Sequence, residues 1–135
     1  MSAETRSTSA ASSTRSYNIT KTEEQWKKQL GAFKYKILRE QGTERAGSHE
    51  YDKMYPSDGY FKCGACNYPL YTAGSKFKTG CGWPCFDKVV YSKEGGCHVG
   101  VRPHDGMFEI VCNNCGGHLG HVFYGEGCTE TNERH

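Results

Sequence analysis

Two cysteine pairs limit what this chain can fold into more than any other feature. Cys63-Gly-Ala-Cys66 and Cys112-Asn-Asn-Cys115 are both C-x2-C knuckles, with small or turn-forming residues between the thiols. A tetrahedral ion such as zinc takes four soft ligands at about 2.3 Å, and a thiol pair on a tight turn supplies half of that set. Two knuckles complete it. The competing readings are four ordinary cysteines or two disulfides of a secreted protein. No apolar signal segment opens the chain, which favours a reducing compartment and a metal. Zinc ribbons usually separate their pairs by about 15 to 20 residues, whereas here residues 67–111 intervene. The metal is therefore expected to clamp two distant strand ends of a domain.

At 135 residues the chain suits one domain with a modest core, and a net charge of +2 gives no reason to expect nucleic acid. Lys and Arg are scattered, with no basic run that would follow a phosphate backbone. No segment is long enough to cross a bilayer, so no membrane association is expected. Seventeen glycines and nine tyrosines suit short strands joined by turns better than a helical bundle. Assigning four of the eight cysteines to metal leaves Cys81, Cys85, Cys97 and Cys128 for redox chemistry or burial.

Residues 1–18 begin with a Ser/Thr/Ala-rich stretch without large apolar side chains and read as a disordered tail, with an organellar transit segment as the second reading. Residues 19–135 read as the domain. Thr22-Glu-Glu-Gln25 fits a capping box. Trp26, Leu30, Phe33 and Ile37 then recur at helical spacing, and Gly31 is expected to divide the segment into two short helices. Gly42 closes the second. Pro56-Ser57-Asp58-Gly59 marks a turn, after which the period changes to two. Strand signals at Tyr60–Cys63, Pro69–Tyr71, Val89–Tyr91, Val99–Val101 and Met107–Cys112 predict an antiparallel meander that delivers the second knuckle.

Two further stretches carry chemistry. Gly80-Cys81-Gly82-Trp83-Pro84 puts a thiol on a bend beside an indole; Trp83 reads either as core or as the wall of an apolar pocket. In Gly116-Gly117-His118-Leu119-Gly120-His121-Val122-Phe123, a regular strand would send the two histidines to opposite faces. The glycine between them allows a bend that turns both toward one pocket. Taken singly, each histidine reads as structural; together they suit proton transfer.

The order C-x2-C, GCGWP, C-x2-C, GGHLGHVF and TETNERH resembles the methionine-R-sulfoxide reductases of the B type, from about Thr22 to His135. The resemblance implies a mainly β fold of two antiparallel sheets with short N-terminal helices. It also implies a structural zinc on Cys63, Cys66, Cys112 and Cys115, remote from the chemistry. Trp83 would pack the substrate's methyl group, His118 and His121 would engage the sulfoxide oxygen, and Arg134 would lie near the nucleophile. Cys81 would be the resolving cysteine. The implied partners are oxidised proteins and thioredoxin or a similar dithiol, acting on a monomer in the cytoplasm or an organelle.

The family nucleophile, a cysteine or selenocysteine, would directly follow His135, where the sequence ends. A cut-short sequence, a degenerate copy and a UGA codon read as a stop compete as explanations. The last is favoured, and the codon after His135 tests it. Little turnover is expected of the chain to His135. Cys85 and Cys128 stand where many relatives carry other residues; both read as inert substitutions, with Cys128 as an alternative resolving thiol. The rival readings are a non-enzymatic zinc-stapled binding module and a redox sensor using Cys81 with Cys128.

Overall fold

The computed structural model describes residues 4–6, 17–48, 51, 54–56, 58–78, 83–93, 96–104, 106–124, 126 and 133–135. Cys81, with the glycines on either side of it, and Cys128 lie outside the described residues.

Helix α1 (Glu23–Leu38) begins on the expected capping box: Gln25 N–H donates to Thr22 Oγ1 at 3.2 Å, and Thr22 N–H donates to Gln25 Oε1 at 2.9 Å. It kinks at Gly31, whose φ of 79° and ψ of 170° are open to glycine alone. That kink resets the helical phase and corrects the expected apolar stripe. Trp26 is buried and Leu30 half-buried, but Phe33 is exposed and Ile37 only half-buried, while Tyr35 and Leu38 take the core positions.

The rest is strand and turn. β9 (Met107–Cys112) pairs antiparallel with β8 (Val99–His104) on one side and with β10 (His118–Tyr124) on the other, and β11 (Glu133–Arg134) extends the sheet beside β10. β6 (Val89–Ser92) pairs with β7 (Gly96–Cys97) and with β1 (Glu4–Arg6). Glu4–Arg6 falls within the stretch expected to stay disordered; a short strand added to an otherwise open sheet edge gains the backbone bonds that its composition could not supply by burial. β2 (Tyr60–Lys62) pairs with β3 (Pro69–Thr72), and β4 (Lys76–Phe77) with β5 (Cys85–Phe86).

The fold is thus mainly β with one kinked helix. Where two sheets were expected, the described residues form one four-stranded, one three-stranded and two two-stranded antiparallel sheets. Trp26, Leu38, Leu70, Val89, Val99 and Ile110 belong to one shared core, so the helix closes over the strands. No helix among the described residues is long and apolar enough to cross a membrane.

Candidate functional site

The two knuckles adopt the same turn. In each, the first cysteine's N–H bonds the carbonyl five residues on (Tyr68, Gly117), and its carbonyl accepts the N–H four residues on (Asn67, Gly116). Its sulfur accepts the N–H two residues on (Ala65, Asn114), each at 3.4 Å. The fifth residue of each turn has positive φ, 63° at Asn67 and 76° at Gly116. Like turns at the two ends of the 67–111 stretch bring Cys63 and Cys115 sulfurs to 3.7 Å and Cys66 and Cys112 to 3.6 Å. All four lie within 4.8 Å of one another. A tetrahedron of 2.3 Å metal–sulfur bonds has edges of about 3.8 Å, so the four cysteines fit a metal ion. Hydrogen bonding from Cys112 pulls the Cys66 thiol well below its usual range, while Cys112, crowded first by Cys115, is pushed above its own.

β9 enters the second knuckle and β10 leaves it. His118 lies opposite Val111 and His121 opposite Glu109, yet Gly120 already faces Ile110. Leu119 is therefore an extra residue, a bulge accommodated by Gly120 at φ 154°. The bulge cancels the strand's alternation and puts both imidazoles on the face of Val111 and Glu109, with ring centroids 5.7 Å apart. By ordinary alternation beyond the bulge, Phe123 shares that face. Its cross-strand partner is Arg134, whose guanidinium stacks 4.3 Å over the Phe123 ring.

Arg134 is held by a fork to Glu126, Nε to Oε1 at 2.6 Å and Nη2 to Oε2 at 3.2 Å, which raises its pKa further and lowers that of Glu126. The Cys85 sulfur lies within hydrogen-bonding reach of the same guanidinium. Cys85 also donates to the Trp83 carbonyl at 3.3 Å. Trp83 is thereby tied to Arg134 through Cys85, with its indole N–H on the Glu44 carbonyl at 2.9 Å and the residue 39% exposed. Next along the chain, His135 exchanges backbone hydrogen bonds with Phe86, at 2.8 and 3.4 Å. Its buried ring meets Glu133 Oε1 at 3.0 Å through Nε2 and the Tyr71 hydroxyl at 3.1 Å through Nδ1.

His118, His121 and Arg134 thus share one face, and Trp83 is joined to it at the edge. Glu109 escaped the sequence reading. It is fully buried and accepts from Arg102 Nε (2.6 Å), Arg102 Nη2 (3.2 Å), Gln41 Nε2 (3.0 Å) and His118 Nδ1 (2.7 Å). Burial opposes its ionisation, but these donors outweigh that and hold its pKa down to about 2. The available signal was a carboxylate inside the apolar run Met107-Phe-Glu-Ile-Val-Cys112.

Against known families, residues 30–135 match the SelR domain. The chain belongs to the SelR family. It is 42% identical over 125 residues to an uncharacterized protein of Schizosaccharomyces pombe, covering 88% of this chain and 86% of that one. It is 44% identical over 118 residues to the peptide methionine sulfoxide reductase B5 of Arabidopsis thaliana, covering 87% and 82%. It is also 45% identical over 120 residues to a chloroplastic peptide methionine sulfoxide reductase B3 of rice, Oryza sativa, covering 87% of this chain but only 50% of that relative.

Proposed function

We propose that this SelR chain reduces methionine-R-sulfoxide in oxidised proteins, and that the face carrying His118, His121 and Arg134 is where it does so. The observation that carries the reading is the β10 bulge, which turns two imidazoles to the same side as the guanidinium. A thiolate or selenolate attacks a sulfoxide sulfur only if the departing oxygen gains a proton, and a histidine is the side chain suited to supply one near neutrality. The guanidinium favours the anionic form of a nearby nucleophile. Continued in the register of β10 and β11, a residue after His135 would lie opposite His121 and, through the pairing of His135 with Phe86, beside Cys85.

The attacking group takes the oxygen as a sulfenic or selenenic acid, releasing the thioether methionine. Cys81 then condenses with it, forming a sulfur–sulfur or sulfur–selenium bond and expelling water. A dithiol of the thioredoxin class exchanges with that bond, restoring both groups and leaving with its own disulfide. Cys63, Cys66, Cys112 and Cys115 would hold zinc, which supplies cross-linking and no redox step. Trp83 would offer its exposed ring to the substrate's methyl group.

Trp26 is buried and Trp83 partly exposed, so a collisional quencher reports on Trp83. Free methionine-R-sulfoxide should shield that fluorescence, and the S epimer should not. The chain carrying a cysteine at position 136 should reduce the R epimer alone in a dithiol-coupled assay. Equal action on both epimers, or no turnover by that chain, would overturn the reading.

A further inference from the structure

Glu109 is fully buried and accepts four hydrogen bonds, all from protein side chains. Its place in the ladders explains why. On β8, Arg102 lies directly opposite it; on β10, His121 does. Three residues from adjacent strands thus form one row across the sheet. Gln41, at φ 59° just beyond the end of α1, completes the ring of donors. Arg102 takes both carboxylate oxygens in a fork, an arrangement that fixes the plane of the carboxylate. The remaining direction on Oε2 is occupied by His118 Nδ1 at 2.7 Å, with both side chains almost wholly buried.

The chemistry of an imidazole makes this contact decisive. A carboxylate held ionised can only accept, so the ring nitrogen facing it must carry a proton. The Nδ1 proton is therefore committed to Glu109, and Nε2 is the nitrogen left to exchange a proton elsewhere. A neutral imidazole free in water has no such constraint.

We infer that Glu109, clamped by Arg102 and Gln41, is a positioning residue that fixes the ring orientation and proton placement of His118 so that Nε2 serves the site. The inference rests on the sulfoxide reading for what Nε2 meets, though not for the tautomer itself. Glu109 touches no reacting atom; it acts through His118. With His118 set opposite Val111 at the knuckle end of the ladder, the same strand without the extra residue at Leu119 would send His121, not His118, to the other face of β10.

Long-range proton–nitrogen NMR of the uniformly labelled 135-residue chain reads both ring nitrogens, with His118 assigned by the signals lost in His118→Asn. In the unaltered protein, neutral His118 should show a protonated Nδ1 and an unprotonated Nε2. Glu109→Gln should invert this, because Arg102 takes the amide oxygen and leaves the amide N–H groups facing Nδ1. Gln41→Ala, which keeps the carboxylate, should leave the tautomer unchanged. Methionine-R-sulfoxide should then move the Nε2 signal of His118 more than the Nδ1 signal. An Nε2–H tautomer in the unaltered protein, or no inversion in a folded Glu109→Gln, would overturn the assignment of Glu109. A retained Nδ1–H tautomer with no response to the sulfoxide would instead uphold Glu109 and overturn the sulfoxide reading.

Discussion

A carboxylate buried without solvent is tolerable only while its donors stay in place, and Glu109 makes that dependence measurable. Burial pushes its pKa up, but hydrogen bonds from Arg102, His118 and Gln41 outweigh that and bring it from the ordinary 4.5 down to about 2. A carboxylate whose pKa is lower folded than unfolded contributes its stability above the unfolded value, and that contribution is lost as pH falls toward the folded one. The loss should therefore run from about pH 4.5 down to about pH 2, and its full size is at most about 3 kcal/mol. The charged and titratable groups facing it are Arg102, His118 and His121. Of these Arg102 keeps its charge throughout, and its pKa is raised mainly by the same pair. Urea midpoints at descending pH should fall more steeply for the unaltered protein than for Glu109→Gln across that window, with the two curves parallel above pH 6. At this scale the clustering of the four knuckle cysteines is legible because C-x2-C is a local pattern that repeats. Glu109 is not, because its meaning lies in Arg102, His118 and Gln41, all from other segments. From the sequence Cys85 reads as an inert substitution, and only the antiparallel placement of β5 and β11 brings it to the Arg134 guanidinium.

Elements were legible where one local rule decided them and illegible where a single residue changed the phase. Thr22 and Gln25 announce the start of α1 because the capping box is written in four consecutive residues. Gly31 announces a break, yet the helical spacing continued across it put Phe33 in the core and missed Tyr35 and Leu38. The bulge on β10 has the same character: His118 and His121 are three residues apart, and the unpaired Leu119 puts them on one face. Gly31 gives the cleaner test. No atom beyond its neighbours and the adjacent helix backbone lies within 4 Å of where its Cβ would be, so an alanine there meets no clash with the rest of the molecule and changes chiefly the backbone preference. By helix propensity alone Gly31→Ala should stabilise by about 1 kcal/mol. At φ 79° and ψ 170° the conformation is instead almost closed to side chains, and the substitution should cost about 1–3 kcal/mol. A urea midpoint lower than that of the parent protein is the expected result. A higher one would mean that the helix runs straight through residue 31.

For the whole molecule, the second knuckle and the imidazole face belong to one pair of strands, β9 and β10. Glu109 lies three residues before Cys112, about 10 Å along β9, and His118 opens β10 three residues after Cys115. The register that aligns His118 with Val111 and His121 with Glu109 begins at the second knuckle, which the first knuckle would hold through the shared metal. Closing the 67–111 stretch by such a cross-link lowers the entropy of the unfolded chain as a disulfide would, by about 4 kcal/mol. For a domain of this size, that corresponds to a shift on the order of 10 °C in the melting midpoint. Cys66→Ser should therefore lose bound zinc by elemental analysis and melt roughly that much lower. Cys97→Ser, outside the four-sulfur cluster, should keep the metal and melt near the parent value. The consequence for the site follows from the shared strands. If the knuckle sets the β9–β10 register, stripping the metal with a chelator should broaden or displace the His118 ring-nitrogen signals well below the melting temperature, and restoring zinc should bring them back. Unchanged His118 signals in the metal-free protein would show that the Glu109 clamp holds the two strands in register without the staple.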